Sequence, residues 1–180
     1  MTQESQIIRQ VLDGEIEAFR LIVERYEKPV VRMIRNITCD GHTAEDVAQD
    51  VFLTAYRKLA SFNAERCSFA TWLFTIARNK SINVLRKKKP RPIGDPPGRA
   101  VLTEPSDTLS QQELLAELNS QLAQLPAAQR RAFVLAEFEQ LSYEQIAQIE
   151  KTRIGTIRSR ISRAKAKLRS AVSRFCEDEQ

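Results

Sequence analysis

The sequence predicts an all-α fold of two small helical domains joined by a flexible linker, and three observations predict it. Apolar residues recur at helical spacing on both sides of the middle of the chain. No alternating strand pattern appears, and Val, Ile and Thr do not cluster into turn-bounded runs. Five of the seven prolines, Pro90, Pro92, Pro96, Pro97 and Pro105, fall between residues 90 and 105 with Gly94 and Gly98 among them, which rules out a regular helix there. The domains expected are 1–89 and 111–180, with residues 90–110 as the linker. A chain of 180 residues, 42% apolar, suffices for two small packed cores. Fully extended, the linker reaches up to about 70 Å at ~3.3–3.6 Å per residue, so it can hold two bodies a protein's width apart.

In the first domain, Ile7, Ile8, Val11 and Leu12 give a short helix ending near Gly14. A second helix starts with Phe19, Leu21, Ile22 and Tyr26 and runs through Val30, Val31 and Ile34, with Pro29 a candidate kink. Thr43, followed three residues later by Asp46, resembles a capping box. The helix it opens puts Ala44, Val47, Ala48, Val51, Phe52, Ala55 and Leu59 on one face. Ser68 is placed to cap a helix from Phe69 to about Lys88, which the prolines stop. In the second domain Leu114, Leu115, Leu118, Leu122 and Leu125 form one stripe. Pro126 suits the first position of the next helix, and Ser142 with Gln145 makes another capping box. Four helices are expected there.

From Ser142 the order is a short helix (Tyr143 to Ile149), four polar residues (Glu150 to Arg153), and a long helix docked by Ile154, Ile157, Ile161, Ala164 and Leu168. This is the order of a helix-turn-helix. At about 100° per residue, the opposite face carries Arg158, Ser159, Ser162 and Arg163 near the N-terminal end, where a recognition helix meets base edges. The arginine fork can donate to O6 and N7 of guanine, and serine can hold phosphate. Between residues 150 and 174 Glu150 is the only acid among many Lys and Arg. A solvated basic helix face is the plainer reading of such a composition; the helix order and the one-sided stripe favour DNA.

Two faces of the first domain also stand out. Asp46, Gln49, Asp50 and Leu53 lie opposite the apolar stripe of their helix and form an acidic ridge with one exposed leucine, suited to a helical partner, although an ordinary solvent face reads the same way. The stripe Phe69, Trp72, Leu73, Ile76 turns polar at Asn79, Lys80 and Asn83. Arg78, Lys80, Arg86, Lys87, Lys88, Lys89 and Arg91 crowd the segment, with no acid between Arg66 and Asp95. That end is a second polyanion surface. Phe62, Phe69, Trp72 and Phe74 precede it. Core packing accounts for most of these, and Phe62 is the one assigned to stacking on an unstacked base.

Lys and Arg outnumber Asp and Glu by 28 to 23, with net charge +5 and pI about 9.3, which favours a polyanionic partner. Cys39, Cys67 and Cys176 stand far apart, fitting neither a disulfide framework nor a zinc site, so a reducing cytoplasm is expected. Nothing resembles a signal peptide or a membrane span. His42 is the only histidine, and no paired-carboxylate metal motif, nucleophile triad or Gly-rich phosphate loop appears. No enzyme, cofactor or metal is therefore expected.

Four motifs then stand in order: Ala44-Glu45-Asp46-Val47-Ala48-Gln49-Asp50-Val51-Phe52, Thr71-Trp72-Leu73-Phe74-Thr75-Ile76-Ala77-Arg78-Asn79, Leu141-Ser142-Tyr143-Glu144-Gln145-Ile146-Ala147 and Gly155-Thr156-Ile157-Arg158-Ser159-Arg160. Over nearly the whole chain they resemble the extracytoplasmic-function (group IV) sigma factors of the sigma-70 family. The resemblance implies a sigma-2 domain that binds the clamp of core RNA polymerase and melts the −10 element. It implies a sigma-4 domain that reads the −35 element and binds the flap. By that resemblance Asp46, Gln49 and Asp50, with Leu53 beside them, fall on the clamp-binding helix. Asn79 and Asn83 fall on the −10 segment with Phe62 in the preceding loop, and Lys80 and Arg86 of the basic run complete that set. Arg158, Ser159, Ser162 and Arg163 fall on the −35 face. The resemblance also implies an anti-sigma factor and a cytoplasmic protein that can be sequestered at the inner membrane.

The chain departs from the family at its turns. Gln140 and Lys151 stand where Gly is frequent, and Glu150 and Arg153 replace the usual Leu and Pro. Wherever those Gly positions need a left-handed backbone, the substitution costs about 1 kcal/mol. The competing readings are a polymerase-independent helix-turn-helix regulator, which would bind its duplex tightly alone, and a nucleic-acid enzyme.

Overall fold

A computed structural model of the chain describes residues 3–38, 40–87, 118 and 120–178, with side chains as far as Ser170. The expected linker 90–110 lies outside the described residues, as do Leu114, Leu115, Lys88, Lys89 and Arg91. Among the described residues every regular element is helical.

The first domain contains α1 (Gln3–Leu12), α2 (Phe19–Thr38), α3 (Gly41–Lys58) and α4 (Phe69–Lys87), with single 3-10 turns at Ile16–Ala18 and Leu59–Ser61. Gly14, at φ +104°, takes a backbone conformation open to glycine and lets the chain turn from α1 into α2. The α2 helix continues through Pro29, and the residues just beyond it, Val30, Met33 and Ile34, are almost fully buried. Their burial offsets the hydrogen bond that the proline removes. The Tyr26 hydroxyl donates to the Glu4 carboxylate, tying α1 to α2; burial, then that carboxylate, pushes the phenol above its ordinary range.

The start of α3 differs from expectation. Thr43 and Asp46 lie inside the helix; its cap is Asp40, in extended backbone, whose carboxylate accepts from the Thr43 amide at 3.3 Å. A carboxylate at this point satisfies a free amide and also meets the positive end of the helix dipole, so it displaces the weaker hydroxyl cap three residues later. The predicted cap on α4 is present: Ser68 Oγ accepts from the Thr71 amide at 3.2 Å.

In the second domain residues 120–123 are helical, and α5 (Ala127–Glu137), α6 (Tyr143–Glu150) and α7 (Ile154–Asp178) follow. Pro126 caps α5 from one position outside it rather than opening it. The Ser142–Gln145 capping box is complete in both directions. Gln140 and Lys151 both adopt φ +52°. At Lys151 the backbone closes α6 with bonds back to Ala147 and Gln148 carbonyls, so the turn keeps its geometry while a side chain carries the strain. Replacing Gln140 or Lys151 by Gly is expected to raise stability by about 1 kcal/mol each, read from the urea midpoint. A loss on either substitution would show that the side chain contributes more than the strain costs.

A linker of this length would let the domains sit apart, but in the free chain they sit against each other. The α5 helix packs on α2 and α6 packs on α4. One apolar core therefore runs from Ile22, Val30, Ile34 and Leu73 to Leu135, Ile146, Ile149, Ile157 and Ile161. A smaller cluster of Leu122, Leu125, Ala164 and Leu168 holds α7 to the segment before α5.

Candidate polymerase and nucleic-acid interfaces

On α3 the helical period divides two environments. Ala44, Val47, Ala48, Val51, Phe52 and Ala55 are buried, while Asp46, Gln49, Asp50 and Leu53 are exposed together on the opposite side. Leu53 borders a shallow apolar groove of about 450 Å³, lined also by Ile16, Phe19, Val23, Phe52 and Tyr56. Ile16 is 62% exposed, so apolar surface from two separate segments meets there. The sequence reading found Leu53 but missed Ile16, which lies in the short 3-10 turn, where no helical period could bring it into register.

On α4 the polar half of the stripe is graded. Asn79 and Lys80 are half-buried, and Asn83 and Arg86 are exposed. Ser81, between them, is fully buried and donates to the Ala77 carbonyl, so the helix still faces the core at that turn. Lys80 Nζ lies 3.5 Å from Asp50, an exposed pair worth little in water. Asn79 Oδ1 accepts from Arg78 at 3.5 Å. Phe62 is half-buried among aromatic rings, edge-on to Phe69 at 5.4 Å and 5.6 Å from Trp72. In the free chain its ring is thus a lid on the core.

On α7 the docking stripe is Ile157, Ile161, Ala164 and Leu168, all buried, while Ile154 is 40% exposed and stands outside it. Arg158, Ser162 and Arg163 are exposed and Ser159 is half-buried. Arg163 borders a shallow groove with Gln129, Lys167 and Ser170, which extends the cationic face beyond the four residues expected. Glu144, at the start of α6, is held below its usual carboxyl pKa by hydrogen bonds to its own backbone and to Ser142, with Arg158 nearby adding to the effect.

Glu150, expected as a polar turn residue, is the main departure. Its side chain is 1% exposed. Arg131 grips it through Nε at 2.9 Å and Nη2 at 2.8 Å, a two-pronged bond, and Arg160 Nη1 lies 3.7 Å away. Being the only acid in a long basic stretch was its one signal in the sequence.

Residues 22–91 match sigma-70 region 2 and residues 115–168 match sigma-70 region 4. The chain is 34% identical over 186 residues to the RNA polymerase sigma-H factor of Pseudomonas aeruginosa, covering 94% of each. It is also 32% identical to the extracytoplasmic-function (ECF) RNA polymerase sigma factor SigW of Bacillus subtilis, over 90% of this chain and 92% of that one. The chain belongs to the extracytoplasmic-function sigma factors. The Bartonella quintana sigma factor RpoE, solved in complex with the anti-sigma factor NepR, superposes with a TM-score of 0.71 at 28% identity, over 86% of this chain and 96% of that one. CnrH, solved with the cytosolic domain of CnrY, gives a TM-score of 0.68 at 24% identity over 93% of this chain and 95% of that one, a likeness of fold. The sigma factor is thus an RNA polymerase-associated alternative sigma factor with region 2 and region 4 domains. Among its described residues no helix is long and apolar enough to cross a membrane, and no group of His, Cys, Asp and Glu could hold a metal.

Proposed function

We propose that this sigma factor directs core RNA polymerase to −10 and −35 promoter elements and promotes strand opening there. It does so as a cytoplasmic initiation factor rather than an enzyme. The observation that carries the reading is the segregation of three exposed faces: the acidic ridge of α3, the Asn and Arg end of α4, and the cationic face of α7.

The domains act as residues 1–89 and 111–180, with 90–110 joining them. Asp46, Gln49, Asp50 and Leu53 bind the polymerase clamp, with the groove beside Leu53 and Ile16 taking an apolar side chain of the partner. Asn79, Lys80, Asn83 and Arg86 hold −10 bases and phosphates once the strand leaves the stack, and Phe62 swings from its aromatic cluster to stack on one base. Trapping unstacked bases offsets a melting cost of a few kcal/mol. Arg158, Ser159, Ser162 and Arg163 grip the −35 duplex, and the remainder of the second domain meets the flap. An anti-sigma factor is the regulatory partner, as the RpoE complex with NepR illustrates for a relative, and it could hold the protein at the inner membrane.

Run-off transcription with core polymerase tests this reading, alongside a mobility-shift assay with and without core. Specific duplex binding by the chain alone, unchanged by core, would favour an independent helix-turn-helix regulator. Replacing Asp46 and Leu53 together by Ala is expected to weaken core binding about tenfold or more, measured by titration of labelled chain. Both side chains are exposed, so helix content should stay the same, and undiminished core binding would remove the ridge from the interface.

A further inference from the structure

The stripe that docks α7, Ile157, Ile161, Ala164 and Leu168, fixes which side of the helix faces the body. Apolar contact has no preferred direction, however, and by itself tolerates a small roll about the helix axis. Ile154, the first residue of α7, is 40% exposed, so the apolar anchoring begins only at Ile157. Two ion pairs supply the direction. On one flank Arg160 Nη1 lies 3.7 Å from Glu150, the last residue of α6, and Arg131 of α5 holds that carboxylate by both of its oxygens. On the other flank Lys165 Nζ lies 2.8 Å from Glu137, the last residue of α5. From Arg160 to Lys165 is about 140° around the helix at ~100° per residue, with the apolar stripe between them.

The placement makes direction matter. Arg160 stands between Ser159 and Ser162, in the part of α7 whose exposed side carries Arg158 and Arg163. A roll of about 20° carries a side-chain tip about 5–6 Å from the axis through about 2 Å. A hydrogen bond to a base edge tolerates only about half an ångström. Burying the Glu150 carboxylate costs hydration that an apolar side chain would not. What the carboxylate adds is the fixed geometry of a two-pronged bond, which packing alone does not provide. A single group, 1% exposed, thus ties together all three helices α5, α6 and α7.

We propose that Glu150 and Glu137 are positioning residues for promoter reading: from opposite flanks their carboxylates fix the roll of α7, and with it the bases that its exposed face meets. The restraint on roll stands on contacts within the second domain; its effect on promoter choice rests on the −35 function proposed above.

A combined variant separates direction from stability. Glu150→Leu with Arg131→Met keeps the space filled while removing the tie to Arg160, and Glu137→Gln removes the tie to Lys165; circular dichroism checks that helicity is kept. Run-off transcription by reconstituted holoenzyme is measured on the cognate promoter and on the same promoter with single-base changes in the −35 and −10 elements. Each preference is a ratio taken on one preparation, so a loss of folded fraction cancels. The combined variant should lose about tenfold of its −35 preference and none of its −10 preference. Glu137→Gln alone, at a partly exposed pair, should lose about two- to threefold, and it decides the matter if the combined variant does not fold. Parent-like −35 preference in a folded variant overturns the proposal, and so do equal losses at −35 and −10. The roll is also read directly in the full-length chain, with Cys39, Cys67 and Cys176 changed to Ser and spin labels attached at Gln148→Cys and Arg169→Cys. The parent should give one narrow distance and the combined variant a broader or displaced one; identical distributions overturn the restraint. A parent holoenzyme indifferent to −35 bases sinks the −35 reading, while the label distances still judge the roll.

Discussion

Glu150→Ala is expected to lower the unfolding free energy of this sigma factor by about 3–5 kcal/mol at neutral pH, to be read from urea denaturation followed by circular dichroism. The carboxylate sits at the end of α6, 1% exposed, among Arg131, Arg160 and Arg78. Removing it leaves three cations facing one another with their solvation only partly restored, which is the costly way to break a buried pair. The same physics gives the control. Glu150→Leu combined with Arg131→Met removes charge from both sides and fills the space, so it should recover most of the loss. Against a total stability on the order of 5–15 kcal/mol, the single substitution takes a large share. A loss below about 1 kcal/mol would mean that water reaches this carboxylate and that the cluster is an ordinary surface network.

Transcription from the cognate promoter should fall about ten- to a hundredfold on Arg158→Ala and again on Arg163→Ala, while core polymerase binding stays at the parent level. The magnitude follows from ~1–3 kcal/mol for a good bidentate arginine contact to a base. Both side chains are exposed on α7, with no salt bridge to a described residue, so neither substitution should disturb the fold. The pair can also be separated by role. An arginine that reads a base relaxes preference at one promoter position, whereas one that grips phosphate weakens all sequences alike and lowers the salt slope by about 1. Full run-off activity of the double variant would move the −35 contact away from this face.

The helices could be read from the sequence because each carries its period in its own residues. The stripe Ile157, Ile161, Ala164, Leu168 and the Ser142–Gln145 box are local patterns, and both stand in the structure as the spacing requires. The start of α3 was misread because Asp40 and Thr43 are both acceptable caps, and only the path of the chain after Thr38 decides between them. Ile154 fits the stripe by period yet stands 40% exposed.

The sites divide in the same way. Asp46, Gln49, Asp50 and Leu53 share an exposed face by phase alone. Phe62 did not reveal its partners, because its contact with Phe69 and Trp72 depends on how the loop between α3 and α4 folds back.

By itself, the sequence determined the all-helical class, the helix-turn-helix, the family and the division into two domains, all of which follow from residues within a turn or two of one another. Only the tertiary structure decided that the domains close on each other in the free chain and that Glu150 and Glu139 bridge them to Arg78 and Arg32. Arg78 and Glu150 are 72 positions apart, and no spacing rule links charges across such a separation. Their pairing exists because α6 lies along α4, a consequence of apolar packing that no single segment encodes.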